Sequence, residues 1–174
     1  WHVWVFGAGH VGRAIVQVLA TLPCRVIWLD TRDEPFPAMV PAGVHTVATD
    51  DPARAATGIP PGADVLVLTH SHALDFDIVL PLVRRDDLGY IGVIGSGTKA
   101  ATFRKRLAAR GLGDAEITRM VCPIGKAADP SVNAGSLAKL PGVIAVNVVS
   151  ALIERQQLLS KNPMQYGLTA ENGE

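Results

Sequence analysis

Short apolar runs recur along the chain, each stopped by glycine, proline or a charged residue and most followed by a stretch with helical spacing. The first, Trp1-His2-Val3-Trp4-Val5-Phe6, is rich in β-branched and aromatic residues and ends on a glycine, which predicts a buried strand. Across 11–21, Val11, Ile15, Val18 and Leu19 share one helical face, and Pro23 closes the element. Arg25 to Leu29 reads as a second strand, and Val44 to Val47 as a third after a Pro-rich loop. Asp51 before Pro52 predicts the capped start of a short helix. The fourth strand is Asp64 to Leu68, followed by a helix over about Leu74 to Val83. Tyr90 to Ile94 is the fifth strand, and the helix after it runs from Lys99 to Arg110 and stops at Gly111. Ile117 to Val121 predicts a sixth strand, 125–142 a loop, and Val143 to Leu159 a last helix.

Strands alternating with helices make βαβ units, so the expected class is α/β. The sheet is doubly wound, mainly parallel and Rossmann-like, with about six strands. Residues 1–160 are expected to form one domain and 161–174 a polar tail. The chain opens inside an apolar run without an initiator methionine, and it is read as part of a longer protein.

Gly7-Ala8-Gly9-His10-Val11-Gly12 matches G-x-G-x-x-G, follows a predicted strand and opens a predicted helix. In that setting Gly7 allows the tight turn, Gly9 lets backbone approach a diphosphate, and Gly12 permits close helix–strand packing. Free N–H groups of the helix then face the anion. Asp30 ends the second strand 18 positions after Gly12, where a ribose-binding carboxylate belongs, and Arg32 lies beside it.

After the fourth strand come Thr69-His70-Ser71-His72-Ala73-Leu74-Asp75. The segment has a look of the T-H-x-H-x-D-H of β-lactamase-type metallo-hydrolases, but Asp75 is displaced by one position and no histidine follows it. A catalytic zinc site needs three or four ligands with an open position. His2 in a predicted buried strand, His10 in the glycine loop and His45 do not complete such a set. Two readings stay open. His70 and His72 are satisfied by backbone while Asp75 caps the next helix. Alternatively, His70, His72 and Asp75 face the crevice between the first and fourth strands, where doubly wound sheets place their ligands.

Gly95-Ser96-Gly97-Thr98-Lys99 follows the fifth strand on the same edge and reads as a second anion cradle or as a capped helix start with a solvated lysine. Arg104-Lys105-Arg106 reads as a solvated face. Cys122 before Pro123-Ile124-Gly125 reads as a packed thiol or as one aimed into the cleft.

Charge and composition narrow the class. Lys+Arg and Asp+Glu both number 16, and aromatics are 5%, which argues against a nucleic-acid binder. The two cysteines fit no disulfide framework or CxxC site, and no apolar stretch reaches the roughly 18–20 residues of a membrane span. With no secretory pattern, a cytoplasmic, reducing location is expected.

These segments together resemble the C-terminal Rossmann-like domain of the XdhC/CoxI family, the xanthine dehydrogenase accessory factors. The resemblance is carried by FGAGHVG (6–12), LDTR (29–32), LTHSHALD (68–75), YIGVIGS (90–96), FRKRL (103–107) with Gly111, and CPIG (122–125). A weaker match is KLPGVIAV (139–146). The resemblance implies a chaperone, not a catalyst. Such a protein binds molybdenum cofactor, as molybdopterin or its dinucleotide, protects it during sulfuration and hands it to an apo-molybdenum hydroxylase. A cysteine desulfurase and a second copy of the chain are expected partners. On this view Gly7, Gly9 and Gly12 cradle phosphate, with His10, Asp30 and Arg32 beside them. His70, His72 and Ser96 line the pterin side, and Asp75, Gly95 and Lys99 are expected among the cofactor-binding residues. The family's N-terminal, cysteine-bearing domain is expected outside this chain, and the stretch Lys126 to Ser136 is longer than the family pattern. Two alternatives stand beside this reading: an NAD(P)-dependent oxidoreductase, on Gly7 to Gly12 with Asp30, and a docking module that works through its last helix.

Overall fold

The computed structural model describes residues 1–126 and 136–161. Its strands are β1 (His2–Phe6), β2 (Arg25–Asp30), β3 (Val44–Ala48), β4 (Asp64–Val67), β5 (Ile91–Val93) and β6 (Met120–Val121). Its helices are α1 (His10–Leu19), α2 (Pro52–Thr57), α3 (His72–Val83), α4 (Gly97–Ala109), α5 (Asp114–Ile117) and α6 (Pro141–Lys161). The strands form one sheet in the order β3-β2-β1-β4-β5-β6, and every pair is parallel. This is the doubly wound α/β fold expected from the alternation of elements.

Period-2 geometry sorts the strand residues between two cores. Val3, Val5, Val26, Trp28 and Leu66 point to the side covered by α1 and α6, with Ile15, Leu19, Val148 and Leu152. Phe6, Leu29, Val65, Val67, Ile91 and Val93 point to the other side, with Phe76, Ile78, Phe103 and Leu107 from α3 and α4. Parallel strands covered on both faces read as near-continuous apolar runs, which is why these segments were visible in the sequence.

The boundaries differ from expectation in several places. Ile117 closes α5, a one-turn helix, and β6 begins only at Met120. The last helix starts at Pro141, because proline suits a first helical turn, and a 3-10 turn over Ser136–Lys139 precedes it. His2 is exposed despite its place in β1. Helix α3 starts at His72 and α4 at Gly97, one cap after Ser71 and Ser96 respectively. Residues 127–135 of the expected 125–142 loop and 162–174 of the expected 161–174 tail lie outside the described residues, while Lys161 ends the last helix. Among the described residues no helix is long and apolar enough to cross a membrane.

Candidate functional site

All six strands end on the same edge of the sheet, so the glycine loop, Asp30 and the loops after β4, β5 and β6 gather there. Strand β1 lies between β2 and β4, which makes its carboxyl end the switch point of the winding.

The three glycines divide into two kinds. Gly7 has φ +115°, and a Cβ there would stand 2.3 Å from the Leu68 carbonyl oxygen. A Cβ at Gly12 would stand 2.1 Å from the Gly7 carbonyl oxygen. Both are therefore required to bring α1 against the strand ends. The Gly7 carbonyl also accepts a hydrogen bond from Trp28 Nε1 at 3.0 Å, and the Gly7 amide donates to Leu29 O at 2.7 Å. Gly9 is different: a Cβ there would meet nothing within 4 Å. Its neighbours leave space the fold does not use. Asp51, Ser71 and Ser96 cap α2, α3 and α4 with side chains, whereas no side chain caps α1 at Gly9. The first-turn amides of α1 thus stand beside open space with their partial positive charge. His10 is exposed on that first turn.

Asp30 is buried, and both of its oxygens are engaged. Oδ1 accepts from Arg32 N and Arg32 Nε, each at 2.9 Å. Oδ2 accepts from Ala8 N at 2.6 Å and Arg32 Nη2 at 2.8 Å. Burial works to raise the Asp30 pKa, but the Arg32 side chain, the Ala8 amide and the Arg32 amide outweigh it and hold the carboxyl at about 2. The carboxylate is therefore ionised and ties the glycine loop to the end of β2. Beneath it, Phe6, Leu29, Pro52, Thr69 and His70 border a void of about 10 Å³, no more than a water's space.

In the loop after β4, Thr69 is the organiser, a role that sequence reading missed. Its amide and hydroxyl donate to Asp75 Oδ1 at 3.0 and 2.7 Å, and its hydroxyl accepts from the Ser71 amide at 3.2 Å. Ser71, not Asp75, caps α3. His70 and His72 stand exposed at the rim, and His70 shares the small void with Gly7 and Asp30.

Asp75 and Lys99, expected on the crevice wall, are buried beneath it. Lys99 Nζ donates to Asp75 Oδ2 and to Ile94 O at 2.7 Å, with both side chains at 5% exposure or less. The lysine is neither solvated nor turned to the cleft; its pull joins the loops that follow β4 and β5. Ser96 accepts from Lys99 N at 3.2 Å, leaving Gly95, Ser96 and Gly97 exposed at the helix start. A Cβ on Gly95 would meet the Lys99 side chain at 2.6 Å, so that glycine makes room for the inward lysine. Arg104, Lys105 and Arg106 are exposed, with the Arg106 guanidinium 3.7 Å from the centre of the Phe76 ring.

Cys122 is buried, and burial pushes its thiol pKa up against the opposing pull of Lys99 and Arg104. It is a packed thiol. Among the described residues, no three His, Cys, Asp or Glu side chains converge as a metal would require. A cavity of about 570 Å³ between Trp1, Pro61, Asp87, Arg155 and Leu159 opens at the opposite edge of the sheet, away from the switch point.

Comparison with protein families matches residues 3–152 to the XdhC Rossmann domain. Among solved structures, a Bacillus halodurans protein described as a xanthine dehydrogenase superposes with a TM-score of 0.73 at 23% identity. The alignment covers 97% of this chain and 48% of that one, so the chain spans about half the length of that relative. The AMP-bound Kef C-terminal domain of Shewanella denitrificans aligns over 94% of this chain and 99% of its own, with a TM-score of 0.47 and 15% identity. Comparison with curated proteins gives no match.

Proposed function

The chain belongs to the XdhC Rossmann-domain family, and from that membership we propose that its crevice binds molybdenum cofactor through the cofactor's phosphate. The protein then acts as an accessory factor to a xanthine dehydrogenase or related molybdenum hydroxylase. The observation that carries this reading is Gly9: an unfilled position beside an uncapped helix start at the switch point. The backbone from Gly9 to Gly12 holds the phosphate, and His70, His72 and Ser96, exposed along the neighbouring loops, hydrogen-bond the pterin edge. When bound, the molybdenum centre supplies the redox chemistry of the client enzyme. This chain holds and orients it and performs no reaction of its own. Protection during sulfuration, partnership with a cysteine desulfurase and work as a cytoplasmic dimer belong to the same proposal.

A nicotinamide dinucleotide is the second reading, favoured by the strand order and by Asp30 at the end of β2. Titration of the full-length protein with purified molybdopterin and with NAD(H) or NADP(H) separates the two. Molybdopterin binding weakened by Gly9→Ala and His72→Ala is expected. Absence of molybdopterin binding would end the leading reading, and tight nicotinamide binding would favour the second.

A further inference from the structure

A carboxylate has about four lone-pair directions, and at Asp30 all are taken. Two of the four donors, Ala8 N and Arg32 N, are backbone groups fixed by the turn. The other two, Arg32 Nε and Nη2, belong to one guanidinium that grips both oxygens at 2.9 and 2.8 Å. That geometry leaves one removable donor on each oxygen. A ribose offers the same pattern, since its vicinal diol gives one O–H to each oxygen of such a carboxylate.

We propose that Arg32 is a specificity residue that occupies the diol's place, so that the crevice prefers a phosphate monoester to a dinucleotide with a free ribose diol. The inference rests on the reading of the crevice as a phosphate site and narrows the ligand to the monophosphate form of the cofactor. The surroundings agree. The void under Asp30 is only about 10 Å³, and Pro52, Thr31 and His70 close it. Arg32 is itself 44% exposed on its side chain, so truncating it removes a surface group and leaves the core intact. Arginine suits this role because its planar fork spans both oxygens, whereas lysine is a point charge.

The test is calorimetry on the full chain with NAD⁺ and with inorganic pyrophosphate, comparing wild type, Arg32→Ala and Arg32→Lys. Thermal unfolding checks that each variant is folded. Arg32→Ala is expected to bind NAD⁺ about tenfold tighter than wild type, the order of a displaced charged hydrogen-bond pair. Arg32→Lys should fall between them, and pyrophosphate affinity should change little. An Arg32→Ala variant that binds NAD⁺ no better than wild type overturns the inference. Failure of wild type to bind pyrophosphate would count against the phosphate site itself, so the two ideas fail by different measurements.

Discussion

Lys99 Nζ donates into the fully buried carboxylate of Asp75, joining the first turns of α3 and α4 beneath the crevice. The partners are 24 residues apart and come from different βα units. Because Asp75 also accepts from Thr69, and Lys99 also donates to Ile94 O, one pair sets the height of both rim loops.

Removing one member leaves a buried charge without its partner, which costs about 3–5 kcal/mol. Lys99→Met is therefore expected to lower the urea midpoint strongly. Asp75→Asn with Lys99→Met removes both charges together, and its loss should be well below the sum of the two single losses. Chemical denaturation of the three variants measures this; additive losses would mean the pair is not coupled.

Glycine substitutions should split in the same way as the glycine geometry. Gly7→Ala and Gly12→Ala drive a methyl into backbone oxygens at 2.3 and 2.1 Å and are expected to cost about 1–3 kcal/mol or more. Gly9 has φ −73° and open space, so Gly9→Ala should change stability by less than about 1 kcal/mol. Thermal melts of the three variants decide it. A Gly9→Ala protein as damaged as Gly12→Ala would remove the argument that Gly9 is spared for a ligand.

The fold and the site were not equally legible in the sequence. The buried strands and the glycine loop announce themselves because their signals are local: apolar runs, a turn, a helix start. One-turn α5 carries too few residues for a periodicity, so its Ile117 merged with β6. His2 opens β1 and is exposed, on the rim of the cavity that Trp1, Pro61 and Leu159 border. Asp75 and Lys99 could be placed on the right edge of the sheet but not given their depth, since the pairing of side chains 24 residues apart is a tertiary property. The same holds for Arg32, whose proximity to Asp30 was visible but whose saturation of both oxygens was not.

Stability should fall at both ends of the pH range, for different groups. The Asp30 carboxyl is held at about 2, below its ordinary 3.8. A depressed acid stabilises the fold above its unfolded pKa, and that contribution is lost as pH falls from about 4 towards 2. Tyr90 is pushed up to about 12 by burial, then by the charge of Asp64 and by Cys122. A raised tyrosine contributes fully below its unfolded value near 10 and loses that contribution as pH rises towards 12. Urea midpoints across pH should show both slopes. Asp30→Asn should flatten the acid one and Tyr90→Phe the alkaline one; slopes unchanged by these variants would assign them to other groups.

A second buried acid anchors the far edge of the sheet, and its loss should be the most damaging of the polar changes there. Asp64 is fully buried at the start of β4. It accepts from Tyr90 N at 2.7 Å, Trp1 Nε1 at 2.7 Å, Arg155 Nη1 at 2.8 Å and Gln156 Nε2 at 3.1 Å. One side chain thus ties β4 to the residues just before β1 and β5 and to the last turns of α6. Asp64→Ala strands the Arg155 charge and three other donors, a loss of about 3–5 kcal/mol. Arg155→Ala leaves the carboxylate three of its donors, and the arginine side chain is already 26% exposed, so it should cost clearly less. Hydrogen exchange gives a further readout, because Asp64→Ala should speed exchange in the C-terminal half of α6 before it affects α1. Uniform acceleration across the fold would show that Asp64 serves global stability and not the docking of α6.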